Sequence, residues 1–397
     1  MRILFSSWPA YGHLLPMLPL IRAATAAGHE VRVASGADLA SLIGARGLTA
    51  EVAGPTLAES YAAAAEANRR TGPETFNEMD PQRAALMAAR TFFGAAAVRR
   101  SRDLLAVFDR WRPDLLVHDT VEVGGAAAAQ ITGIPHVLHS YGPLVPAQAA
   151  FAREIGGTMA EAGLPDPTGA VFAAPYLDVC PPSLQPEGTD PWTDVLPLRP
   201  SAGEIIPGES LPAGFTDMPN PATIYLTLGT VTNQAPEVFR TVLDSAAEAS
   251  VNVLVTTGPG VDPAEVAGGR SNVLAVPFVS QALVLPHCVA VVSHCGAGTM
   301  FGALTHGLPQ LCLPQGTDQP ANAAAVGQAG AGVVLTPDRV DVESVAGALD
   351  RVLGDPAIRA AAQRVRAEIE QRPAAADVLP VLVDRATGSR SRAPSGR

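Results

Sequence analysis

Short runs that are largely apolar, each followed by a helical stretch, recur along this chain. They constrain its fold more than any other feature. RILFSS (2–7), EVRVAS (30–35), LTAEVA, DLLVHD (114–119) and PHVLHS (135–140) mark the first half; ATIYLTLGT, VNVLVTT, NVLAVPFV, VAVVSH, PQLCLPQ and GVVLTP mark the second. A strand that shows one face to water alternates apolar and polar residues. A strand apolar at nearly every position is covered on both faces, as in a parallel sheet with helices above and below. The expected class is therefore α/β, with two doubly wound Rossmann-like domains facing each other across a cleft.

The prolines of 181–221 interrupt this alternation and mark a linker. The reading divides the chain into 1–205, a linker at 206–221, a second domain at 222–375, a helix at 376–384 that packs back on the first domain, and a disordered polar tail at 385–397. Residues 54–110 break the rhythm of the first half and read as an insertion that carries specificity.

Charge and composition remove several classes of function. The net charge is −11 and the sequence has no basic stripe, so nucleic acid is not an expected partner. No run of uncharged apolar residues is long enough for a transmembrane helix, and MRILFSSWPAYGHLLP reads as a core strand rather than a signal peptide. Cys180, Cys288, Cys295 and Cys312 lack zinc spacing and read as buried reduced thiols. A cytoplasmic protein without stable membrane insertion is expected.

The densest run of chemistry is HCGAGTMFGALTHGLPQLCLPQGTDQPANA, beginning at His294. A strand ends at His294 and a helix begins among small residues, where free backbone N–H groups and a positive dipole end suit an anion. Gly296, Gly298 and Thr299 lie in that turn. TLGT (227–230) ends an earlier strand in the same way with Gly229 and Thr230, which suggests a diphosphate held between two loops. An ordinary glycine turn is the competing explanation. The chain has no lysine, so no Walker loop exists, and GAGTMFG lacks the dinucleotide spacing. Asp318 and Gln319 suit sugar hydroxyls, although Asp318 could simply cap its helix.

These residues resemble the family-one glycosyltransferases of the GT-B fold, in the bacterial branch that decorates antibiotics and other natural products. The run from His294 carries most of the likeness, with PFVSQALVLPHC (277–288) and GHLLPMLPL (12–20) adding to it. The resemblance implies His13 as catalytic base and Asp119 as its acidic partner. It implies Phe278 stacked on the nucleobase, Val279 reading the base edge through its backbone, and Gln281 beside the nucleoside. Gly229, Thr230, His294, Gly298 and Thr299 become the diphosphate cradle, with Asp318 and Gln319 on the sugar. The plant members' glutamate, which grips both ribose hydroxyls of UDP, falls at Gly302, so a dTDP-sugar is the expected donor.

The implied reaction is an inverting transfer to a hydroxyl of a hydrophobic aglycone. His13 would take the proton while Asp119 holds its tautomer. No cofactor is expected, because the nucleoside-diphosphate sugar is a co-substrate, and the reaction would need no metal. A homodimer is allowed. Trp8, Phe92, Phe93 and Tyr141 are candidates for the acceptor pocket, each equally readable as core. Two other readings stay open: a nucleotide-sugar epimerase on the same fold, and a catalytically silent auxiliary protein that activates a partner transferase.

Overall fold

The computed structural model describes residues 1–71, 86–87, 89–144, 148–186, 192–229, 236–247, 249–258 and 260–391. They form two compact units. The first comprises 1–179, 187–198 and 373–397, and the second 180–186 and 199–372.

The first unit is built on a parallel sheet of seven strands: β1 (Arg2–Ser6), β2 (Glu30–Ser35), β3 (Thr49–Val52), β4 (Leu115–Asp119), β5 (His136–His139), β6 (Tyr176–Asp178) and β7 (Val195–Pro197). Their spatial order is 3-2-1-4-5-6-7. β1 pairs with β2 on one side and β4 on the other, with Ser6 opposite His118. The order reverses between β1 and β4, so the loops leaving those two strands diverge and open a crevice at their carboxyl ends. β4 is buried along its whole length, which is why DLLVHD reads as apolar yet ends in a charged residue placed at that crevice.

The second unit repeats the plan with β8 (Thr223–Thr227), β9 (Asn252–Thr256), β10 (Val273–Val276), β11 (Ala290–Ser293), β12 (Gln310–Cys312) and β13 (Gly332–Val334), all parallel, in the order 10-9-8-11-12-13. Here the reversal falls between β8 and β11. β8 and β9 are buried at every position. Their side chains pack with Phe239, Val242, Leu311, Val345 and Leu349 into one core.

Two boundaries and one strand differ from the sequence reading. Residues 206–221 belong to the second unit instead of standing as a linker. Phe215 packs with Tyr225, Val279 and Leu285, and Glu209 accepts a hydrogen bond from the Ser280 amide at 2.8 Å. β6 and β7 are three-residue strands, and β7, at the sheet edge, lies inside the proline-rich stretch, where proline is tolerated because an edge strand needs fewer ladder bonds. Finally, the helix Ala375–Ser391 passes through 385–391, residues read as tail. Leu379, Leu382 and Ala386 are buried in the first unit, and Arg385 pairs with Asp194. Residues 392–397 lie outside the described set.

Among the described residues, no helix is long and apolar enough to cross a membrane. The four cysteines are buried, and none of them forms a disulfide.

Candidate functional site

In the first unit, the crevice between β1 and β4 holds His13 and Asp119. Asp119 ends β4 and is 1% exposed; His13 Nδ1 lies 3.5 Å from its Oδ1, at the outer limit of a hydrogen bond, and has no other partner. Three backbone amides point at the carboxylate: Trp8 N–H to Oδ2 at 2.5 Å, and Val121 and Glu122 N–H to Oδ1 at 2.9 and 3.1 Å. Burial pushes the Asp119 carboxyl up. His13 and these amides more than offset it, so the group is held below its ordinary value. A buried, ionised carboxylate beside an imidazole orients the ring and stabilises its protonated form.

His13 lies in the single helical turn Tyr11–Leu14, which is followed by a 3-10 turn and then by the helix Leu18–Ala26.

Aromatic rings line the same crevice. Tyr141 sits 4.2 Å from the His13 ring, and Trp8 packs 4.7 Å from Phe93. Trp8 is 3% exposed and forms a small cluster with Ala96 and Val121, against which Phe93 and Tyr141 pack partly buried. Trp8 is thus a wall set into the core, while Phe93 and Tyr141 keep some free surface. The Phe92 side chain lies outside the described residues.

In the second unit, His294 follows β11 and sits against two glycines. A Cβ on Gly229 would lie 2.7 Å from its Nε2, and one on Gly296 only 2.4 Å. Both glycines are therefore spaces for the imidazole as much as approaches for a ligand. Gly298 is different: a Cβ there would meet nothing within 4 Å. Burial lowers the His294 pKa, with the Asp318 charge and the Thr227 backbone pulling the other way, and its Nδ1 is buried without a hydrogen-bond partner. Gly296 caps the helix Ala297–Thr305 without a side-chain acceptor, so the first amides of that helix have no protein partner at the cap. Thr230 lies outside the described residues.

Two loops here are strained. Cys295 and Thr317 have φ of 60° and 57°, and they are the only non-glycine residues with positive φ among those described. Such conformations persist where the surroundings over-determine them, commonly at ligand sites. Asn322 ties the loops together, donating to the Cys295 carbonyl at 3.0 Å and to Asp318 Oδ2 at 2.8 Å. It stands one helical turn after Asp318, a spacing that could have singled it out. Gln319 departs from expectation: its Oε1 accepts from the Gln315 and Gly316 amides at 2.7 and 3.2 Å, so its acceptor is committed to the loop and only its amino group can serve a ligand. Asp318 keeps spare lone pairs.

Phe278 is 56% exposed, an unusual state for a large aromatic and one that suits a stacking platform. Val279 is the reverse, 4% exposed, with its side chain in the core beneath. Gln281 donates to Thr299 Oγ1 at 2.9 Å, joining the nucleoside and diphosphate candidates. Sequence reasoning missed Glu209, whose carboxylate holds the Ser280 amide and so fixes the Phe278–Gln281 turn; nothing in its sequence neighbourhood signals that.

The chain is similar to known sugar transferases along its length. The family described as erythromycin biosynthesis protein CIII-like matches through its N-terminal domain over residues 22–199 and its C-terminal domain over 240–384. The L-demethylnoviosyl transferase of Streptomyces niveus is 31% identical across 100% of both chains. The tylactone mycaminosyltransferase of Streptomyces fradiae is 30% identical over 96% of this chain and 92% of its own. Among solved structures, the glycosyltransferase VinC in complex with dTDP superposes with a TM-score of 0.77 at 26% identity, covering 98% of this chain and 100% of that one. SsfS6 from Streptomyces sp. SF2575, complexed with thymidine diphosphate, gives 0.78 at 26% identity, covering 97% and 99%. This chain belongs to the family-one glycosyltransferases of the GT-B fold, in their bacterial natural-product branch.

Proposed function

We propose that this glycosyltransferase moves a sugar, with inversion and without a metal, from a dTDP-sugar to a hydroxyl of a hydrophobic polyketide-like or macrolactone aglycone. The observation that carries the donor half is the placement of His294 between Gly229 and Gly296, at an uncapped helix N-terminus where the second sheet reverses its order. Relatives named for sugar transfer to tylactone, and neighbours solved with thymidine diphosphate, support the same reading.

In this mechanism His13 accepts the proton of the acceptor hydroxyl. The acceptor oxygen bonds to the anomeric carbon of the sugar, opposite the leaving group, and the carbon–oxygen bond to the diphosphate breaks with its electron pair going to dTDP. Asp119 steadies the imidazolium that forms. Charge growing on the diphosphate is met by the amides at the start of Ala297–Thr305, by His294 and by Thr299, which do the work a cation does elsewhere. Asp318 and the Gln319 amino group address sugar hydroxyls, and Phe278 stacks on the base. Phe93, Tyr141 and Trp8 form part of the acceptor surface.

An epimerase needs no acceptor surface, and an auxiliary protein needs neither His13 nor the diphosphate cradle. Incubation with a dTDP-deoxysugar and a panel of hydrophobic aglycones tests the reading. Release of dTDP should depend on the aglycone and yield a glycoside of inverted anomeric configuration. Loss of dTDP without a glycoside, or epimerised donor alone, would refute it.

A further inference from the structure

Arg100 lies in the helix Ala95–Arg110 and is 1% exposed, among the largest fully buried side chains in the protein. Its Nη1 donates to the Ser7 carbonyl at 2.6 Å, and its Nε stands 3.5 Å from Glu122 Oε1, in a pair that is itself fully buried. Gly54, with φ of 84°, makes room for the guanidinium: a Cβ there would lie 2.7 Å from Nε. The arrangement is not satisfied. Arg100 Nε and Nη2 and Glu122 Oε2 are buried without hydrogen-bond partners. A buried ion pair left short of partners is a poor way to stabilise a core, and apolar residues of similar volume commonly do as well or better. Its presence therefore calls for a reason outside stability.

Its connections supply one. The Ser7 carbonyl that accepts from Arg100 belongs to the same peptide unit as the Trp8 N–H, which donates to Asp119 Oδ2. A peptide unit is planar and polarisable, so a cation on its oxygen fixes its orientation and strengthens its N–H as a donor. Glu122 contributes on the other side: its backbone N–H donates to Asp119 Oδ1, the oxygen that faces His13. Arg100 thus touches both sides of the Asp119 carboxylate: it bonds the carbonyl of the Ser7–Trp8 peptide and pairs with the side chain of Glu122, the residue whose amide holds the other oxygen. We infer that Arg100 is a positioning residue for the transfer reaction, holding Asp119 in register with His13 through the Ser7–Trp8 peptide and Glu122.

The inference rests on the proposed roles of His13 and Asp119, and its test separates the two. Arg100→Met with Glu122→Gln removes the guanidinium and the carboxyl together, so neither group stays buried without its counterpart. Misplacing a catalytic group commonly costs about tenfold to a hundredfold in rate. The double variant is expected to lose about tenfold or more in kcat while its dTDP dissociation constant and melting temperature stay near wild type. Introduced into Asp119→Asn, the same pair of changes should cost less than about twofold further, because groups acting through one residue are not additive. Arg100→Lys retains the charge but not the fork that reaches both partners; it is expected to fall between, and it is the variant to measure if the neutral pair does not fold. Full additivity with Asp119→Asn, or unchanged kcat in a folded Arg100 variant, overturns the inference. Unchanged turnover in His13→Ala and Asp119→Asn themselves would instead overturn the proposed base.

Discussion

The imidazole of His294 occupies the space that a side chain on Gly229 would need: a Cβ there would stand 2.7 Å from Nε2, on a backbone with φ of 82°. Gly229→Ala should therefore do two things. It should lower the melting temperature, since an L-residue at positive φ costs roughly 1–2 kcal/mol, and it should displace His294 and weaken dTDP binding. Gly298→Ala is the contrasting case, with open space around the new methyl. Its melting temperature should hold while its dTDP affinity falls, because there the glycine makes room for ligand. Calorimetry beside thermal melts reads both, and unchanged affinity in Gly298→Ala would show that the diphosphate does not approach that turn.

His13→Ala should lose about a hundredfold or more in kcat, the usual weight of a general base, with dTDP affinity kept, because the residues proposed for the donor lie in the other unit. Asp119→Asn should lose less, since the base remains and only its orientation and the charge beside it are gone. Steady-state kinetics with the aglycone varied decides this; more than half the wild-type rate in His13→Ala at neutral pH would remove the residue from the mechanism.

The strands were legible because a parallel strand buried on both faces leaves an apolar signature, as in β4 and β8. The candidate site was legible where chemistry sits at strand ends: Asp119 after DLLVH, and His294 after VAVVS. What escaped was long-range or backbone-borne. Glu209 reaches Ser280 across 71 positions, and Arg100 acts on Ser7 across 93. No local pattern announces either. Gln319 was identified by type, but its acceptor turned inward to satisfy two loop amides, a commitment that only the folded loop dictates. β7 was hidden by prolines that an edge strand tolerates.

Turnover should survive excess chelator. The proposed cradle sets helix amides, His294 and Thr299 against the diphosphate, and none of these needs a cation. Complete loss of product on chelation, recovered with magnesium or manganese, would contradict the metal-free mechanism.

Acid should destabilise the first unit. Burial lowers His118, His136 and His139 from 6.5 to about 4, 3 and 4. Below pH 6.5 the unfolded chain binds protons that the folded one refuses, so stability falls as pH drops from 6.5 toward 4. Glu122 works the other way: burial raises it from 4.5 to about 7, so the folded state holds its proton between those values. Three histidines against one carboxyl leave a net uptake of about two protons on unfolding near pH 5. The melting temperature at pH 5 should lie below that at pH 7. An equal or higher value at pH 5 would mean that these rings are not buried neutral.

The proposed preference for dTDP turns on Gly302. The position where plant members offer a carboxylate to both ribose hydroxyls here has no side chain, and the structure supplies a packing reason for that. A Cβ on Gly302 would lie 3.1 Å from Leu285 Cδ1 and 3.3 Å from Gln281 Oε1. Gln281 in turn donates to Thr299. Close packing and the proposed donor choice are therefore not rival accounts, since one missing side chain can serve both. A ribose would leave a hydroxyl without its charged acceptor, a loss of roughly 1.5–3 kcal/mol per bond, whereas a 2′-deoxyribose has no such hydroxyl to satisfy. The thymine methyl would gain contact from the exposed Phe278 ring, but not from Val279, whose side chain is turned into the core. Direct competition between dTDP and UDP should favour dTDP by about tenfold or more, the ratio that about 1.4 kcal/mol sets. Gly302→Glu should narrow that ratio while lowering the melting temperature, because Leu285 and Gln281 must give way. Equal affinities in the wild type would show that Gly302 serves packing alone.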